Sequence, residues 1–335
     1  LPVNSTTTVA TDGVDKVYTA ISAFDPGPHA DVFVAASLDG GYSFTQVARV
    51  STSTPGDEAS YVPQIAALAD GHVYVAYKES DRTTGNQQLR FNRSTDSGAT
   101  WQSSDRLLGT VSSNSIIGQG VHHPEFQLTA LPGGKVYVLW SDGTDLFLSR
   151  STDYGESFVT DEVDQDDRSG RRNGQGSLCA QGDQVVLVFV SHSTFSGSRV
   201  PSIWGTVSAN GGETWSTREH FRPEAIRGLY WALLPHVGCG DGDKAVAAWG
   251  DVWPGPAYRT YVKRFNGTTW EADIDLGAAT YDHAYHEVTY ASSTAVLVAY
   301  ASYDYVYTVR SADGGVNWLP ASAHSDGNAT IAYPH

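Results

Sequence analysis

The chain has 335 residues, and its 21 Lys and Arg against 37 Asp and Glu give a formal net charge of −16. Hydrophobic residues make up 40% and charged residues 17%, which excludes an intrinsically disordered chain. The acidic excess leaves no basic stripe to neutralise phosphates, and no apolar run reaches the roughly 18 residues of a membrane span. We therefore expect a folded protein that binds no nucleic acid and spans no membrane.

A short pattern, Ser-x-Asp/Asn-x-Gly-x-Ser/Thr/Asn-Trp/Phe, recurs along the chain. The first four copies begin 57 residues apart, the fifth follows after 103 residues, and a degenerate copy at residues 264–270 divides that last gap. The Asp or Asn can accept hydrogen bonds from backbone N–H groups of its own turn, and the Gly supplies positive φ. Each copy therefore predicts a tight turn between two strands. The five clear copies begin at Ser37, Ser94, Ser151, Ser208 and Ser311.

Runs of β-forming residues, such as residues 72–77 and 135–140, lie upstream of most turns, and a second run, such as residues 145–150, follows them. No helical period of 3.6 residues is present. The distance from the last copy through the chain ends to the first is 61 residues, about one period. We predict one all-β domain over residues 1–335, a six-bladed β-propeller of four-stranded antiparallel blades.

These turns resemble Asp boxes, and the whole chain resembles the sialidase-like propellers that carry bacterial neuraminidase repeats. The resemblance implies that each box joins the third and fourth strands of a blade, on the face opposite the ligand site. It also implies a site built from the starts of the innermost strands and the loops between second and third strands. The family includes hydrolases, lyases, lectins and receptors, so the residues of this rim must decide the function.

The predicted rim is rich in His, Arg, Tyr and Trp, which stack on sugar rings and hydrogen-bond their hydroxyls and carboxylates. His122, His123 and Glu125 form its sharpest cluster. His123 and Glu125 are candidates for proton transfer and His122 for substrate binding; the alternative is two rim histidines that only contact neighbouring loops. No short ligand spacing indicates zinc, so we expect no cofactor, with a structural calcium ion left open.

Two adjacent arginines, Arg171 and Arg172, are candidates to hold a substrate carboxylate, with Arg82 as a further contact. The alternative is that the pair only neutralises the acidic residues at 164, 166 and 167. Three aromatic residues are candidates to stack on sugar rings, with packing between blades as the alternative: Tyr230, Trp231 and Trp253.

A second cluster of polar and aromatic residues lies at the predicted start of the last blade. The resemblance implies that Tyr285 takes the place of the sialidase nucleophile. Asp282 and Glu287 are the candidate carboxylates, and His283 and His286 are candidate substrate contacts. The matching Val-Pro-Gln-Ile segment lacks the arginine of the sialidase Arg-Ile-Pro motif, so classical sialidase activity is not expected.

Several features predict a secreted glycoprotein. The chain contains no Met, which suggests that a leader has been removed, and it carries four Asn-x-Ser/Thr sequons. Cys179 and Cys239 are 60 residues apart, about one repeat, so adjacent blades would bring them close enough for a disulfide. Two separate buried thiols are the alternative. The sequons stand at Asn4, Asn92, Asn266 and Asn328.

Together these observations predict a secreted, monomeric carbohydrate-active enzyme that cleaves an acidic or terminal linkage of an oligo- or polysaccharide. Glycoside hydrolysis would use two carboxylates, or a Tyr with a Glu. Elimination beside a uronate would use an Arg to neutralise the sugar carboxylate and a His or Tyr to remove the adjacent proton. The alternative is a non-catalytic lectin or adhesion module, which the divergence of the predicted rim between blades disfavours.

Overall fold

A computed structural model confirms the predicted fold class: an all-β protein with six four-stranded antiparallel sheets, the blades of a β-propeller. Among the described residues there is no helix, and so none that could cross a membrane. We number the sheets 1 to 6 in chain order. The structure describes residues 7–24, 30–52, 58–81, 87–111, 126–163, 172–195, 198–221, 233–251, 258–279, 286–302 and 305–324.

The chain groups into two compact units, so the single domain over residues 1–335 stays a prediction. Unit 1 comprises Leu1–Gly143 and Phe147–Glu162 and holds sheets 1 to 3. Its strands are β1 (Thr7–Thr11), β2 (Val17–Phe24), β3 (Ala30–Ser37) and β4 (Gln46–Arg49) in sheet 1; β5 (Glu58–Ala67), β6 (Val73–Asp81), β7 (Gln87–Ser94) and β8 (Arg106–Val111) in sheet 2; and β9 (Phe126–Leu131), β10 (Lys135–Ser141), β11 (Leu146–Ser151) and β12 (Val159–Glu162) in sheet 3.

Unit 2 comprises Thr144–Leu146 and Val163–His335 and holds sheets 4 to 6. Its strands are β13 (Arg172–Gln181), β14 (Gln184–Phe195), β15 (Ser198–Ser208) and β16 (Glu219–His220) in sheet 4; β17 (Leu233–Gly240), β18 (Lys244–Asp251), β19 (Tyr258–Phe265) and β20 (Ile274–Ala279) in sheet 5; and β21 (His286–Tyr290), β22 (Val296–Ser302), β23 (Tyr305–Ser311) and β24 (Ser322–His324) in sheet 6.

The hydrophobic core of each unit lies between neighbouring sheets. In unit 1, Tyr18 and Tyr77 belong to the cluster between sheets 1 and 2. In unit 2, Trp249 lies in the cluster between sheets 4 and 5, and Tyr300 in the cluster between sheets 5 and 6. Strand β10 is buried at six of its seven residues, so both of its faces are covered, which explains why it is a nearly continuous apolar run rather than an alternating one.

The strand order gives each sheet two distinct ends. The first strand begins on the side where the second strand ends, which we call the start side. The opposite end carries the connection from first to second strand and the repeated turn from third to fourth strand, and we call it the turn side. Within each unit the first strands of neighbouring sheets contact one another. A side chain on a first strand can therefore reach the next sheet.

The repeated turns have the hydrogen bonds that the sequence predicts. In the first copy, the Asp39 carboxylate accepts from Ser37 Oγ at 2.6 Å, from Ser43 N at 2.9 Å and from Ser43 Oγ at 2.6 Å. Gly41, at φ 90°, donates its N–H to Ser37 Oγ at 2.8 Å. Equivalent bonds form around Asp96, Asp153, Asn210 and Asp313.

Two of these turns are also held by the preceding sheet. Arg93 of β7 donates to Tyr154 O at 2.6 Å and pairs with Glu156 in the turn of sheet 3. Arg264 of β19 donates to Gly314 O at 2.9 Å in the turn of sheet 6. Each arginine is the second-last residue of the third strand of its sheet, so equivalent positions link consecutive sheets on the turn side.

The turn carboxylates predict a specific loss of stability in acid. Hydrogen bonds, led by those from Ser37, lower the pKa of Asp39 to about 2, and bonds led by the Asn317 N–H do the same for Asp313. A carboxyl with a lowered pKa stabilises the fold above its ordinary value of 3.8, and this contribution is lost as the pH falls towards 2. We expect Asp39→Asn to weaken the dependence of the unfolding free energy on pH over this window. Unchanged dependence in urea titrations between pH 5 and 2 would contradict this account.

The structure confirms the disulfide and corrects one sequon. Cys179 of β13 and Cys239 of β17 are bonded, with their Cα atoms 5.5 Å apart. Asn92 is fully buried in β7, where its amide nitrogen donates to Val50 O at 2.9 Å and to Gln102 O at 3.2 Å. A glycan cannot be attached to this side chain in the folded protein, so the expectation of glycosylation is wrong at this sequon. Asn266 is exposed, and the sequons at Asn4 and Asn328 lie outside the described residues.

Candidate active site

Most of the predicted rim lies outside the described residues, and its roles there stay predictions. Of the predicted site residues, Glu287 and His286 are described in full, while Arg172 is described only as the first residue of β13. Those outside are Arg82, His122, His123, Glu125, Arg171, Tyr230, Trp231, Trp253, Asp282, His283 and Tyr285.

His286 and Glu287 begin β21 and point in opposite directions, as strand alternation requires. The His286 residue is only 3% exposed, and its Nε2 lies 3.3 Å from Thr260 Oγ1 of the neighbouring sheet. This position fits packing between sheets better than the predicted substrate contact. The Glu287 side chain is 56% exposed on the start side of sheet 6, where a substrate could reach it.

A histidine that the sequence analysis missed lies beside Glu287. His236 of β17 accepts the N–H of Val288 at its Nδ1, at 3.2 Å, and its Nε2 lies 3.3 Å from Glu287 Oε2. Burial lowers the pKa of His236 to about 4, so the ring is neutral near pH 7. Because Nδ1 accepts a hydrogen bond, the single ring proton lies on Nε2 and faces the carboxylate. We call these two residues the His–Glu pair.

The His236 position recurs on other first strands. Gln64 of β5 accepts the N–H of Leu128 at 2.9 Å, and Ser177 of β13 accepts the N–H of Val237 at 3.1 Å. In each case a polar side chain on one first strand reaches the backbone of the next. His236 therefore braces sheets 5 and 6 as well as facing Glu287.

Irregular backbone precedes three of these positions. The pairing register shifts between Tyr61 and Gln64, between Gly174 and Gly176, and between Leu233 and His236. Each irregularity falls towards the start side of its first strand. Bulges of this kind redirect side chains, and they often lie next to active sites. In β5 the irregularity includes Val62 at φ 53°, a strained value for a β-branched residue.

The His–Glu pair gives the carboxylate a fixed partner. Both nitrogens of the neutral His236 ring are engaged, so His236 has no lone pair for a substrate proton and acts as a positioning residue. Glu287 carries the accessible oxygen atoms and can accept a proton or attack a reacting carbon.

Within the described stretches, no three His, Cys, Asp or Glu side chains are grouped so that they could hold a metal ion.

The pKa of His236 predicts a pH-dependent stability. The group binds a proton below about pH 4 in the folded protein but near 6.5 when unfolded, so the unfolded state gains protons first as the pH falls. The stabilisation is complete above pH 6.5 and is lost as the pH falls towards 4. Its size is at most about 3 kcal/mol, because the nearby Glu287 carboxylate favours the protonated ring and so opposes the lowering of the pKa. His236→Gln should flatten this dependence of stability on pH, because glutamine does not titrate. The variant should still fold, since Gln64 shows that a glutamine can brace the strands. The measurement is the unfolding free energy of both proteins at pH 7 and 4.5. An equal loss of unfolding free energy between these pH values in the two proteins would contradict the assignment.

Comparison with known proteins shows the fold. No protein-family model and no curated protein matches the sequence. An ulvan lyase described as a new polysaccharide lyase family, PL25, has a similar structure with a TM-score of 0.61, 12% identity, and coverage of 94% of this chain and 82% of that one. A protein of unknown function from Dyadobacter fermentans is similar with a TM-score of 0.50, 15% identity, and coverage of 95% and 93%. The ulvan lyase also resembles this chain in its complex with -[GlcA(1-4)Rha3S]-, at a TM-score of 0.60.

Proposed function

We propose that the protein is a secreted carbohydrate-active enzyme that cleaves an acidic or terminal sugar linkage on the start side of the first strands. The observation that carries this proposal is the accessible Glu287 carboxylate, which His236 orients at 3.3 Å. An oriented carboxylate at the start of a first strand is suited to proton transfer or nucleophilic attack on a bound sugar. The fold likeness to a polysaccharide lyase agrees with a polysaccharide as the substrate.

Hydrolysis is the reaction that Glu287 itself favours. A glycoside hydrolase needs a second group across the scissile bond, either a carboxylic acid or a tyrosine nucleophile. Glu125, Asp282 and Tyr285 are our candidates for that second group. In this reaction a water molecule is added, and the leaving sugar takes a proton from the general acid.

Elimination is the second candidate, and the likeness to the ulvan lyase favours it. A base removes the proton next to the uronate carboxylate, a double bond forms in the uronate ring as the bond to the leaving sugar oxygen breaks, and that oxygen takes a proton from a general acid. Arg171 or Arg172 would neutralise the sugar carboxylate, and His123 or a tyrosine would take the proton. Glu287 would then hydrogen-bond a sugar hydroxyl beside the reacting unit.

A multivalent lectin would be expected to repeat its ligand pocket in several sheets. The place of His236 is taken by Gln64 in sheet 2 and by Ser177 in sheet 4, because each of these side chains accepts a backbone N–H of the next first strand. Glu287 has this place in sheet 6, since it precedes Val288 as His236 precedes Val237. These residues differ in charge and in hydrogen-bonding capacity, which favours one specialised site over a repeated one. The disulfide agrees with an oxidising compartment and hence with secretion.

A substrate panel tests this function. The protein is incubated with uronate-containing polysaccharides, neutral polysaccharides and sialosides, and new reducing ends are followed together with ultraviolet absorbance of unsaturated uronates. New ends without absorbance indicate hydrolysis, and new ends with absorbance indicate elimination. No new ends on any substrate, together with retained binding on a glycan array, would overturn the enzyme and leave the lectin.

A further inference from the structure

A cavity of about 220 Å³ lies on the turn side of unit 2, where the first strands of sheets 4, 5 and 6 end. Its wall includes Gln181 of β13, Asp241 just after β17, Tyr290 at the end of β21 and Ser292 two residues after it, together with disulfide-bonded Cys239. The cavity is therefore at the opposite end of the first strands from the His–Glu pair. Three sheets form it together, and the disulfide joins two of them.

Two buried polar atoms of the cavity residues lack partners. The Gln181 amide nitrogen donates to Asp241 Oδ1 at 2.7 Å, which directs the amide oxygen elsewhere. That oxygen and the Tyr290 hydroxyl are both buried without a hydrogen-bond partner in the described part of the chain. Burial raises the pKa of Tyr290 to about 12, so its hydroxyl keeps its proton. Buried polar atoms normally have partners, and both of these atoms belong to residues that line the cavity.

The cavity combines hydrogen-bond donors with acceptors. The Gln181 amide oxygen and the Asp241 carboxylate can only accept. The Tyr290 hydroxyl can do both, and Ser292 Oγ accepts the N–H groups of Thr294 and Ala295, at 3.4 and 3.1 Å, which leaves its own O–H to donate. A molecule with several hydroxyl groups matches this mixture, because each hydroxyl also donates and accepts.

Charge and size narrow the ligand further. Asp241 is the only charged side chain among the described residues that line the cavity, so an anionic sugar is repelled. A single carboxylate is also a poor site for a divalent cation, because Ca²⁺, for example, takes six or more oxygen ligands. The volume is below the roughly 300 Å³ at which pockets for drug-sized ligands begin, so it suits one sugar unit.

The Tyr290 ring is held in place by a glycine. A Cβ atom on Gly240 would lie 2.2 Å from the ring, so only glycine lets the ring pack against the β17 backbone. The aromatic ring and the polar groups around it are a combination that suits a sugar, with an apolar face and hydroxyl edges.

We propose that this cavity is a second saccharide-binding site, which takes one uncharged sugar unit. The site is separate from the proposed cleavage site and does not depend on it. It would retain a polysaccharide through a neutral unit while an acidic or terminal linkage is cleaved elsewhere.

Saturation-transfer NMR with the full chain tests the site directly. The probes are the methyl glycosides of glucose, galactose and rhamnose, with glucuronic acid as the anionic counterpart. We expect at least one neutral glycoside to bind more tightly than glucuronic acid. Tyr290→Phe, which keeps the ring and removes the hydroxyl, should weaken that binding about five-fold. Asp241→Asn should narrow the difference between the neutral and anionic probes.

Two controls locate the binding. Tyr42→Phe removes the hydroxyl of an exposed tyrosine in sheet 1 and should leave binding unchanged. Glu287→Ala, which removes every hydrogen-bonding group of that side chain, should also leave it unchanged, and loss of binding in that variant would place the sugar on the start side and overturn the proposal. Absence of binding by every neutral probe, or displacement of the sugar by Ca²⁺, would overturn it as well. None of these outcomes depends on cleavage, so failure here is distinct from failure of the proposed enzyme.

Discussion

Glu287→Gln is expected to lower kcat by about 10²- to 10⁴-fold, the range in which proton transfer by a positioned side chain contributes. Glutamine keeps the size of the side chain and a hydrogen-bond acceptor for His236, but it can neither take a proton nor attack carbon. Substrate affinity should change little, because the amide still hydrogen-bonds to hydroxyl groups. The measurement is the initial rate and KM on the best substrate of the panel.

Thr289→Ala is the matched control for this variant. Thr289 is also exposed, two residues further along β21 on the same face as Glu287. Its replacement should leave kcat within about two-fold of the unmodified protein. If Glu287→Gln retains full turnover, Glu287 is not the catalytic carboxylate, and the site must lie among the rim residues outside the described part of the chain.

Removal of the disulfide is the stability change with the largest expected effect. The bond between Cys179 and Cys239 closes a loop with a sequence separation of 60 residues. In the chain-entropy account, restricting such a loop in the unfolded state stabilises the fold by about 4 kcal/mol. We expect Cys179→Ala with Cys239→Ala to lose about this much unfolding free energy, measured by urea titration at pH 7.

Reduction provides the control for that experiment. A thiol reductant should destabilise the unmodified protein and have no effect on the double alanine variant. Both side chains are partly buried beside the cluster between sheets 4 and 5, so part of the loss in the variant comes from packing. Equal stability of the oxidised, reduced and double alanine proteins would show that the bond does not contribute to the fold.

The fold was predictable because its signal is periodic and local. The turn around Asp39 is specified by the eight residues of one copy of the pattern, and its repetition every 57 residues predicts the number of sheets. Even the degenerate copy forms a turn, in which Asn266 accepts the N–H groups of Thr268 and Thr269 at 3.0 Å each. The disulfide followed from the same period, because residues one repeat apart occupy equivalent places in adjacent sheets.

The candidate site was less predictable because it depends on contacts between sheets. His236 is fixed by a backbone N–H of β21 and follows an irregular stretch of β17, neither of which the local pattern reveals. One signal was present, because the segments Pro63-Gln64-Ile65 and Pro235-His236-Val237 are similar. Each lies in the first strand of the second sheet of its unit. Asn92 was misjudged for a related reason, since a sequon covers three residues and does not report burial by neighbouring sheets.

Product analysis on one defined oligosaccharide tests the central claim, cleavage of a sugar linkage, most directly. An acidic oligosaccharide chosen from the substrate panel is incubated at a hundred-fold molar excess over the protein, and its fragments are counted by mass spectrometry over time. The account predicts more fragment molecules than protein molecules, with masses that sum to the substrate plus water for hydrolysis or to the substrate alone for elimination. Recovery of the oligosaccharide at its original mass from a stable complex with the protein would contradict it.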